Sequence, residues 1–269
     1  MPFVASIVLV TENRAGGAFG SAALAACAFL AGCGADDANT GQPPATSPAT
    51  ISVLPQPSST TVVAPAPTVT IGEVPGNPDA VEALRPWVRD LVDGDIEQLV
   101  RKCWTIEPNN ARDMYADRDG ILAAVAQPGI DGQFAVIWRG PDRTVSVKRG
   151  EIASGYACPR VASTGATTTF NEADARYAVQ RYLSRWVGTP VDPADVEGEY
   201  PLVCAGSVLA NNPGRLTGST GFGELTSTTT GRDNVEVSVP VTNSSGVTQP
   251  LVFTVTIGPE GYCVNDISG

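Results

Sequence analysis

The chain has 269 residues, 42% of them hydrophobic, a formal net charge of −11 at pH 7, and no histidine. An acidic protein without a Lys/Arg cluster lacks the basic face that binding to phosphate requires, so we expect no nucleic-acid partner. The absence of histidine excludes Ser-His-Asp and Cys-His nucleophile activation, histidine acid–base catalysis and His-containing zinc sites. We therefore expect no enzymatic activity, no cofactor and no bound metal.

Residues 1–32 have the pattern of a signal peptide. After the single Arg14, an uncharged run of small and apolar residues extends from Ala15 to Gly32. This run is too short and too rich in glycine and alanine for a transmembrane helix, which needs about 20 strongly apolar residues. A short apolar run behind a positive residue is instead typical of a secretory signal.

The end of this segment, Leu30-Ala31-Gly32-Cys33, resembles the lipobox of bacterial lipoproteins of the actinobacterial type. The resemblance implies cleavage before Cys33 and lipidation of that cysteine, and Cys27 would leave with the signal peptide. The chain would then be anchored in the cell membrane through its lipid and face away from the cytoplasm. A plain secretory signal with an incidental cysteine is the alternative.

A change in composition follows the lipobox. Residues 34–78 hold nine prolines and eleven serines and threonines, with no lysine, arginine or aromatic residue. Such a segment has too little apolar surface to form a core, so we expect it to be disordered with polyproline II character. Together with Cys33 it forms the predicted tether, residues 33–78.

The next region opens with two predicted helices. Val81, Leu84, Val88 and Leu91 recur at helical spacing, although Pro86 either kinks this helix or marks its first turn. Gly94 ends it, and Asp95 with Gln98 predicts a capping box that opens a second helix. The segments expected after these are a short helix at residues 120–126 and three strands, at residues 133–139, 144–149 and 151–161, with a hairpin turn at 140–142.

A second region repeats this order of features. The sequence from Phe170 to Asp174 predicts a helix N-terminus, and the apolar positions from Ala175 to Trp186 continue that helix to Gly188. Asp192-Pro193 opens a turn or a short second helix. Three alternating segments, at residues 224–230, 234–241 and 251–257, then predict an antiparallel meander.

Both regions close on a similar cysteine motif, Gly155-Tyr156-Ala157-Cys158 and Gly261-Tyr262-Cys263. We interpret them as a tandem repeat of one helix-then-antiparallel-sheet unit, which makes the fold class α+β. The predicted domains are residues 79–162 and residues 170–269, joined by a linker at 163–169.

Four cysteines remain after Cys27 and Cys33 are assigned. An exported chain meets an oxidising compartment, where an even number of cysteines favours disulfides. Of three possible pairings, the repeat selects Cys103–Cys158 and Cys204–Cys263. Each would stabilise its domain by about 4 kcal/mol in the chain-entropy treatment. A four-cysteine metal site is the alternative, but the C-x₂-C spacing is missing.

The helix that ends in Asp90-Leu91-Val92-Asp93-Gly94-Asp95, the second helix that reaches a cysteine and the later sheet resemble NTF2-like (cystatin-like cone) domains. The resemblance implies a curved sheet that wraps with helices around a cone-shaped pocket. Its catalytic residues do not carry over, because many enzymatic members use His–Asp pairs and this chain has no histidine. Fold alone does not assign the function.

Carboxylate pairs are the remaining candidates for catalysis. One group lies near Tyr200 and another near Tyr115, but both fall in polar, turn-rich stretches where solvated charges are expected. The residues concerned are Asp192, Asp195, Glu197 and Glu199 in the first group, and Asp113, Asp117 and Asp119 in the second. We interpret the Gly/Ser/Thr-rich residues 211–223 as a loop, and the four tryptophans as core or pocket walls.

These observations favour a non-enzymatic binding module at the cell envelope, whose partner is an unknown envelope protein or wall component. A carrier or sensor of a small apolar ligand in a cone-shaped pocket is the alternative, and a carboxylate-dependent hydrolase is the third. An apolar cavity would favour the carrier. Two carboxyl groups facing each other across a cleft would favour the hydrolase.

Overall fold

The computed structural model describes residues 69–166 and 170–269. The signal peptide, Cys33 and the tether up to residue 68 lie outside these residues, as does the predicted linker from residue 167 to 169. Below, residues 69–166 are the first half and residues 170–269 are the second half. No helix in the described ranges has the length and apolar character needed to cross a membrane.

The first half consists of helices followed by a four-stranded antiparallel sheet in the order β1-β2-β3-β4. Its elements are α1 (Pro78–Asp93), α2 (Ile96–Lys102), α3 (Pro108–Tyr115), α4 (Arg118–Val125), β1 (Gly129–Asp131), β2 (Ala135–Arg139), β3 (Arg143–Lys148), α5 (Arg149–Ala153) and β4 (Arg160–Ser163). One face of the sheet packs on the helices around the fully buried Trp87 and Trp138. Both tryptophans therefore belong to the core, as predicted.

The ends of α1 and α2 follow the predicted signals. Helix α1 begins at Pro78, in the first turn, where no backbone N–H is needed. Pro86 therefore does not mark the first turn of this helix but lies inside it. Gly94 ends α1 at φ 80° and donates its N–H to the carbonyls of Asp90 and Leu91. The Asp95 side chain then accepts the N–H of Gln98 and begins α2.

The predicted strand at residues 151–161 is wrong. Helix α5 occupies its start, and β4 begins only at Arg160. The segment between them folds back onto α1, because Ala157 donates its N–H to the carbonyl of Ala83 and Cys158 donates to the Glu151 carboxylate. These contacts hold the chain away from the sheet until β4 pairs with β3.

The folded part also begins earlier than the predicted boundary at Asp79. Ile71 and Val74 are buried in the first core, although the sequence analysis assigned them to the tether. Gly72 donates its N–H to the carbonyl of Val125 at 2.7 Å and accepts the indole N–H of Trp138 at 3.0 Å. Residues 69–77 therefore form a docked segment that closes the open side of the first core.

The second half consists of one long helix and an antiparallel sheet. Its elements are α6 (Glu172–Trp186), β5 (Ser219–Phe222), β6 (Thr226–Thr229), β7 (Asn234–Asn243), β8 (Thr248–Gly258) and β9 (Gly261–Ser268). Strands β7, β8 and β9 pair in sequence order, and β5 and β6 both pair with the other edge of β7. The segment predicted as a loop at residues 211–223 contains strand β5, which pairs with β7 next to the part of β7 that pairs with β6.

Period-two alternation places the second core. Val235, Val237, Val239 and Val241 of β7 are all buried, as are Phe253 and Val255 of β8. They pack against the apolar face of α6, which opens with the predicted Asn171/Asp174 capping box. The apolar residues of each half thus form a separate core.

The structure pairs Cys103 with Cys158 and Cys204 with Cys263, which confirms the selected pairing. Each bond lies within one half: Cys103 directly follows α2 and Cys158 precedes β4, whereas Cys204 follows α6 and Cys263 lies in β9. The halves differ in detail, since four helices precede the first sheet and one long helix precedes the second. The α+β class is confirmed, and the tandem repeat stays a prediction.

We expect Gly72→Ala to lower the stability of the fold by about 1–3 kcal/mol, because the new Cβ would lie 1.8 Å from the carbonyl oxygen of Gln127. Thermal unfolding followed by circular dichroism measures this loss. Gly198→Ala is the matched control, since its Cβ would meet no atom within 4 Å. Equal melting temperatures for the two variants would show that residues 69–77 are not docked.

Candidate functional site between the two halves

Helix α6 has two faces with different chemistry. Ala175, Val179 and Leu183 are buried in the second core. Asp174, Tyr177 and Arg181 recur at intervals of three and four residues, which places them on one stripe of the helix. This polar stripe contacts the first half: the Tyr177 hydroxyl donates to the carbonyl of Trp104 at 2.6 Å. The described residues of both halves belong to one compact unit.

One buried ion pair joins strand β4 to α6. The guanidinium of Arg160 donates to both carboxylate oxygens of Asp174, at 2.9 and 3.4 Å, and lies 4.0 Å from the ring centre of Phe170. Arg160 is 8% exposed and Asp174 is 6% exposed. A buried bidentate pair of this kind requires a fixed geometry, because both side chains are almost completely removed from bulk solvent.

A second charged cluster surrounds Asp195, whose side chain is completely buried. Its carboxylate accepts from Arg181 at 2.6 and 3.1 Å and also from Arg185. Arg181 also donates to the carbonyl of Thr105 at 3.5 Å, and its guanidinium lies 4.9 Å from the ring centre of Trp104. Asp195 thus orients the arginine that reaches across to the first half.

Between these ion pairs lies a cavity of about 190 Å³ with residues of both halves in its wall. Lys148, Glu151 and Arg160 come from the first half, and Arg181, Tyr200 and Tyr262 come from the second. The wall combines charges of both signs with aromatic rings. It differs from the apolar, cone-shaped pocket expected for an apolar-ligand carrier.

Lys148 is the cation at this cavity whose pKa is shifted. Its Nζ donates to the backbone carbonyl of Glu260. Burial lowers the pKa of Lys148 to about 8, and the positive charges of Arg160 and Arg181 act in the same direction. The carboxylates of Glu151 and Glu260 oppose this shift.

Glu151 lines the same cavity and is 7% exposed. One carboxylate oxygen accepts from the Thr105 hydroxyl at 2.8 Å, and the other accepts from the backbone N–H of Cys158 at 3.2 Å. Within the described ranges, neither Glu151 nor Lys148 has an oppositely charged atom within 4.0 Å.

A second depression, an apolar groove of about 470 Å³, lies on the second half. Trp186 and Val203 line it together with the exposed Val196 and two prolines, Pro190 and Pro213. It is more open than the cavity between the halves. The apolar character of its wall makes it the described surface best suited to a small apolar ligand.

The carboxylates proposed from the sequence take different places. Asp195 is buried in the arginine cluster, so the solvated charge predicted from the sequence is wrong at this position. The prediction failed because a turn-rich stretch can still fold against a helix. Glu197 binds Arg185 at 2.5 Å, and Glu199 lies at the wall of the cavity. Asp117 caps α4 and pairs with Arg143 at 2.6 Å.

The remaining candidates do not join this cavity. Asp192 accepts the N–H of Ala194 within a turn, and Asp119 is exposed near Arg118. Asp113 lines a separate surface depression beside Arg160. Among residues 69–166 and 170–269, no group of three His, Cys, Asp or Glu side chains is arranged to hold a metal ion.

Lys148, Glu151, Arg160 and Arg181 were not among the site residues predicted from the sequence. A signal for one of them was present, because Arg181 shares a helical stripe with Asp174 and Tyr177 opposite the apolar face. Lys148 and Arg160 alternate with buried valines on β3 and β4, so they lie on the sheet face turned away from the first core. The sequence pattern identifies the polar faces of the helix and the strands, but it does not identify the residues that pack against those faces.

In comparisons with protein-family models, with curated proteins and with solved structures, this chain matches none of them. The site is therefore interpreted from its own geometry and chemistry.

We expect Asp195→Asn to lower the free energy of unfolding by about 3–5 kcal/mol, because it removes the charge that compensates two buried guanidinium groups. Urea unfolding of the variant measures this loss. Glu97→Gln is the matched control, since its pair with Arg112 is exposed and should contribute less than about 1 kcal/mol. Similar losses for the two variants would contradict the structural role of Asp195.

Proposed function

We propose that this chain is an exported, lipid-anchored binding module, and that it holds a small charged ligand in the cavity between its two halves. The observation that carries the proposal is the cavity itself, with a partly buried ammonium and a buried carboxylate that have no ionic partner within 4.0 Å in the described ranges. Charges left unpaired away from water are costly to a fold, and they concentrate at functional sites.

Two independent features support export. The residues from Leu30 to Cys33 resemble a lipobox, and both remaining cysteine pairs form disulfides, which persist in oxidising compartments. Cys33 would carry the lipid, and the Pro/Ser/Thr-rich stretch after it would separate the folded part from the membrane surface. The binding site would then face the envelope space, where an envelope protein or wall component is the source of the ligand.

The arrangement of helices followed by an antiparallel sheet in each half supports our further proposal that both are NTF2-like domains. In that case the ligand site would lie between two such domains. The apolar-ligand alternative would use the groove beside Trp186, because its lining is mainly apolar.

A thermal-shift panel tests the binding proposal on the full chain. We expect at least one class among small organic acids, amines and amino acids to raise the melting temperature. A ligand at about 100 times its Kd stabilises the folded state by about 2.7 kcal/mol. Sorbitol serves as the uncharged control. Stabilisation by the neutral apolar probe 1-octanol alone would favour the groove and overturn the charged-ligand proposal.

The anchor is tested separately. We expect Cys33→Ala to move the protein into the soluble fraction without unfolding it, because residue 33 lies outside the two described cores. Membrane fractionation after a carbonate wash measures the distribution. Cys27→Ala is the matched control and should remain in the membrane fraction. Retention of the Cys33→Ala variant in the membrane would contradict lipid anchoring.

A further inference from the structure

The cavity contains two charged groups of opposite sign that do not neutralise each other. Lys148 ends β3, and Glu151 lies in the middle of α5, so both reach the cavity from adjacent elements of the first half. The other buried charges at its wall are paired: Arg160 with Asp174, and Arg181 with Asp195. Lys148 is therefore the cation of the wall without an ionic partner among the described residues, and Glu151 is the buried carboxylate without one; Glu107, Glu199 and Glu260 also line the wall but are not buried.

Each of the two has a defined hydrogen-bonding capacity left over. The ammonium of Lys148 has three donors, of which the carbonyl of Glu260 accepts one. Glu151 accepts one bond at each oxygen, although a carboxylate has about four lone-pair positions. The buried Nε–H of Arg160, at the same wall, has no acceptor among the described residues.

The size of the cavity limits the ligand. A water molecule takes up about 30 Å³ in the liquid, so a cavity of 190 Å³ has room for several waters or one small organic molecule. Tyr200 and Tyr262 give the wall an aromatic part, against which a short carbon skeleton can pack. A large or polymeric ligand would not fit completely inside this space.

We propose that the cavity binds a small zwitterion of the amino-acid type, with its carboxylate on Lys148 and its ammonium on Glu151. The inference rests on the proposed function, because it names the ligand class of the same site. A carboxylate would accept the free donors of Lys148 and compensate its charge. An ammonium group would donate to the unused lone pairs of Glu151.

The sequence offers a direct way to observe Lys148. The chain has two lysines, Lys102 and Lys148, so a protein labelled with ¹³C at lysine Cε gives two side-chain signals. Lys102 pairs with Asp90 outside the cavity and serves as the internal reference. Glycine, acetate and methylammonium are titrated separately into the full chain.

We expect glycine to shift the Lys148 signal and to raise its pKa above the value of about 8, because the bound carboxylate favours the charged amine. The groups that already act on this amine are Arg160 of β4, Arg181 of α6, Glu151 of α5 and Glu260 of the β8–β9 turn. Acetate should bind at least about tenfold more weakly than glycine, because it lacks the group that donates to Glu151. Methylammonium should not raise the pKa of Lys148.

Two conservative variants separate the two contacts. Lys148→Met should weaken glycine binding by at least about tenfold, and Glu151→Gln should reduce glycine binding to the level of acetate. Lys102→Met and Glu97→Gln are the matched controls and should bind glycine as the parent chain does. Circular dichroism checks that each variant is folded, and the titration of the parent chain is decisive if a variant does not fold.

Equal binding of glycine and acetate would overturn the zwitterion inference and leave the binding function intact. A glycine response at Lys102 of the same size as at Lys148 would also overturn it, because the site would not be the cavity. Failure of all three probes, with only a charged compound other than an amino acid active in the thermal-shift panel, would reject the ligand class alone. Failure of the whole panel would reject the proposed function as well.

Discussion

The burial of Asp195 is the constraint on which the arrangement of the two halves depends. Its carboxylate is completely buried, so it requires cations, and it receives them from α6 through Arg181 and Arg185. The ion pair with Asp195 fixes the guanidinium of Arg181, which also contacts Thr105 and Trp104 of the first half. A single carboxylate thus fixes the turn-rich segment after α6 and presents the polar stripe of that helix to its neighbour.

An interface made this way differs from a hydrophobic one. Apolar contacts are non-directional, whereas bidentate ion pairs and aligned hydrogen bonds are satisfied in one orientation. The Arg160–Asp174 pair and the Tyr177–Trp104 bond act on the same stripe of α6. The cavity lies beside these polar contacts, and its wall includes Arg160, Asp174 and Arg181.

Much of the local structure could be predicted from the sequence. In helices α1, α2 and α6 the end signals agree with the apolar periodicity. Strand β7 alternates regularly and β8 alternates from Phe253 to Ile257, so local signals and burial indicate the same structure. The strand proposed at residues 151–161 was wrong because its apolar residues serve a disulfide and a contact with α1. Residues 69–77 were assigned to the tether because their composition is that of the preceding stretch, although Ile71 and Val74 fill a gap in the core.

The site was much less predictable than the fold. Its wall takes residues from Thr105 to Tyr262, separated by more than 150 positions and contributed by helices, strands and turns of both halves. No spacing in the sequence relates Lys148 to Arg181, because their proximity follows from how the two halves pack against each other. Asp195 shows the same limit: a polar turn gives no indication of whether two arginines will close over it.

The docked segment at residues 69–77 has a mechanical consequence. Any tension that pulls on the chain before Val69 is applied first to the hydrogen bonds of Gly72 and Glu73 with Val125 and Gly129. These bonds are non-covalent, whereas each core behind them is closed by its own disulfide. Under load the segment would peel away first, taking Ile71 and Val74 out of the first core, and its nine residues could then span at most about 30 Å, at about 3.3–3.6 Å per residue. Residues 69–77 are therefore placed to act as an extensible joint between the folded part and whatever holds its N-terminal side.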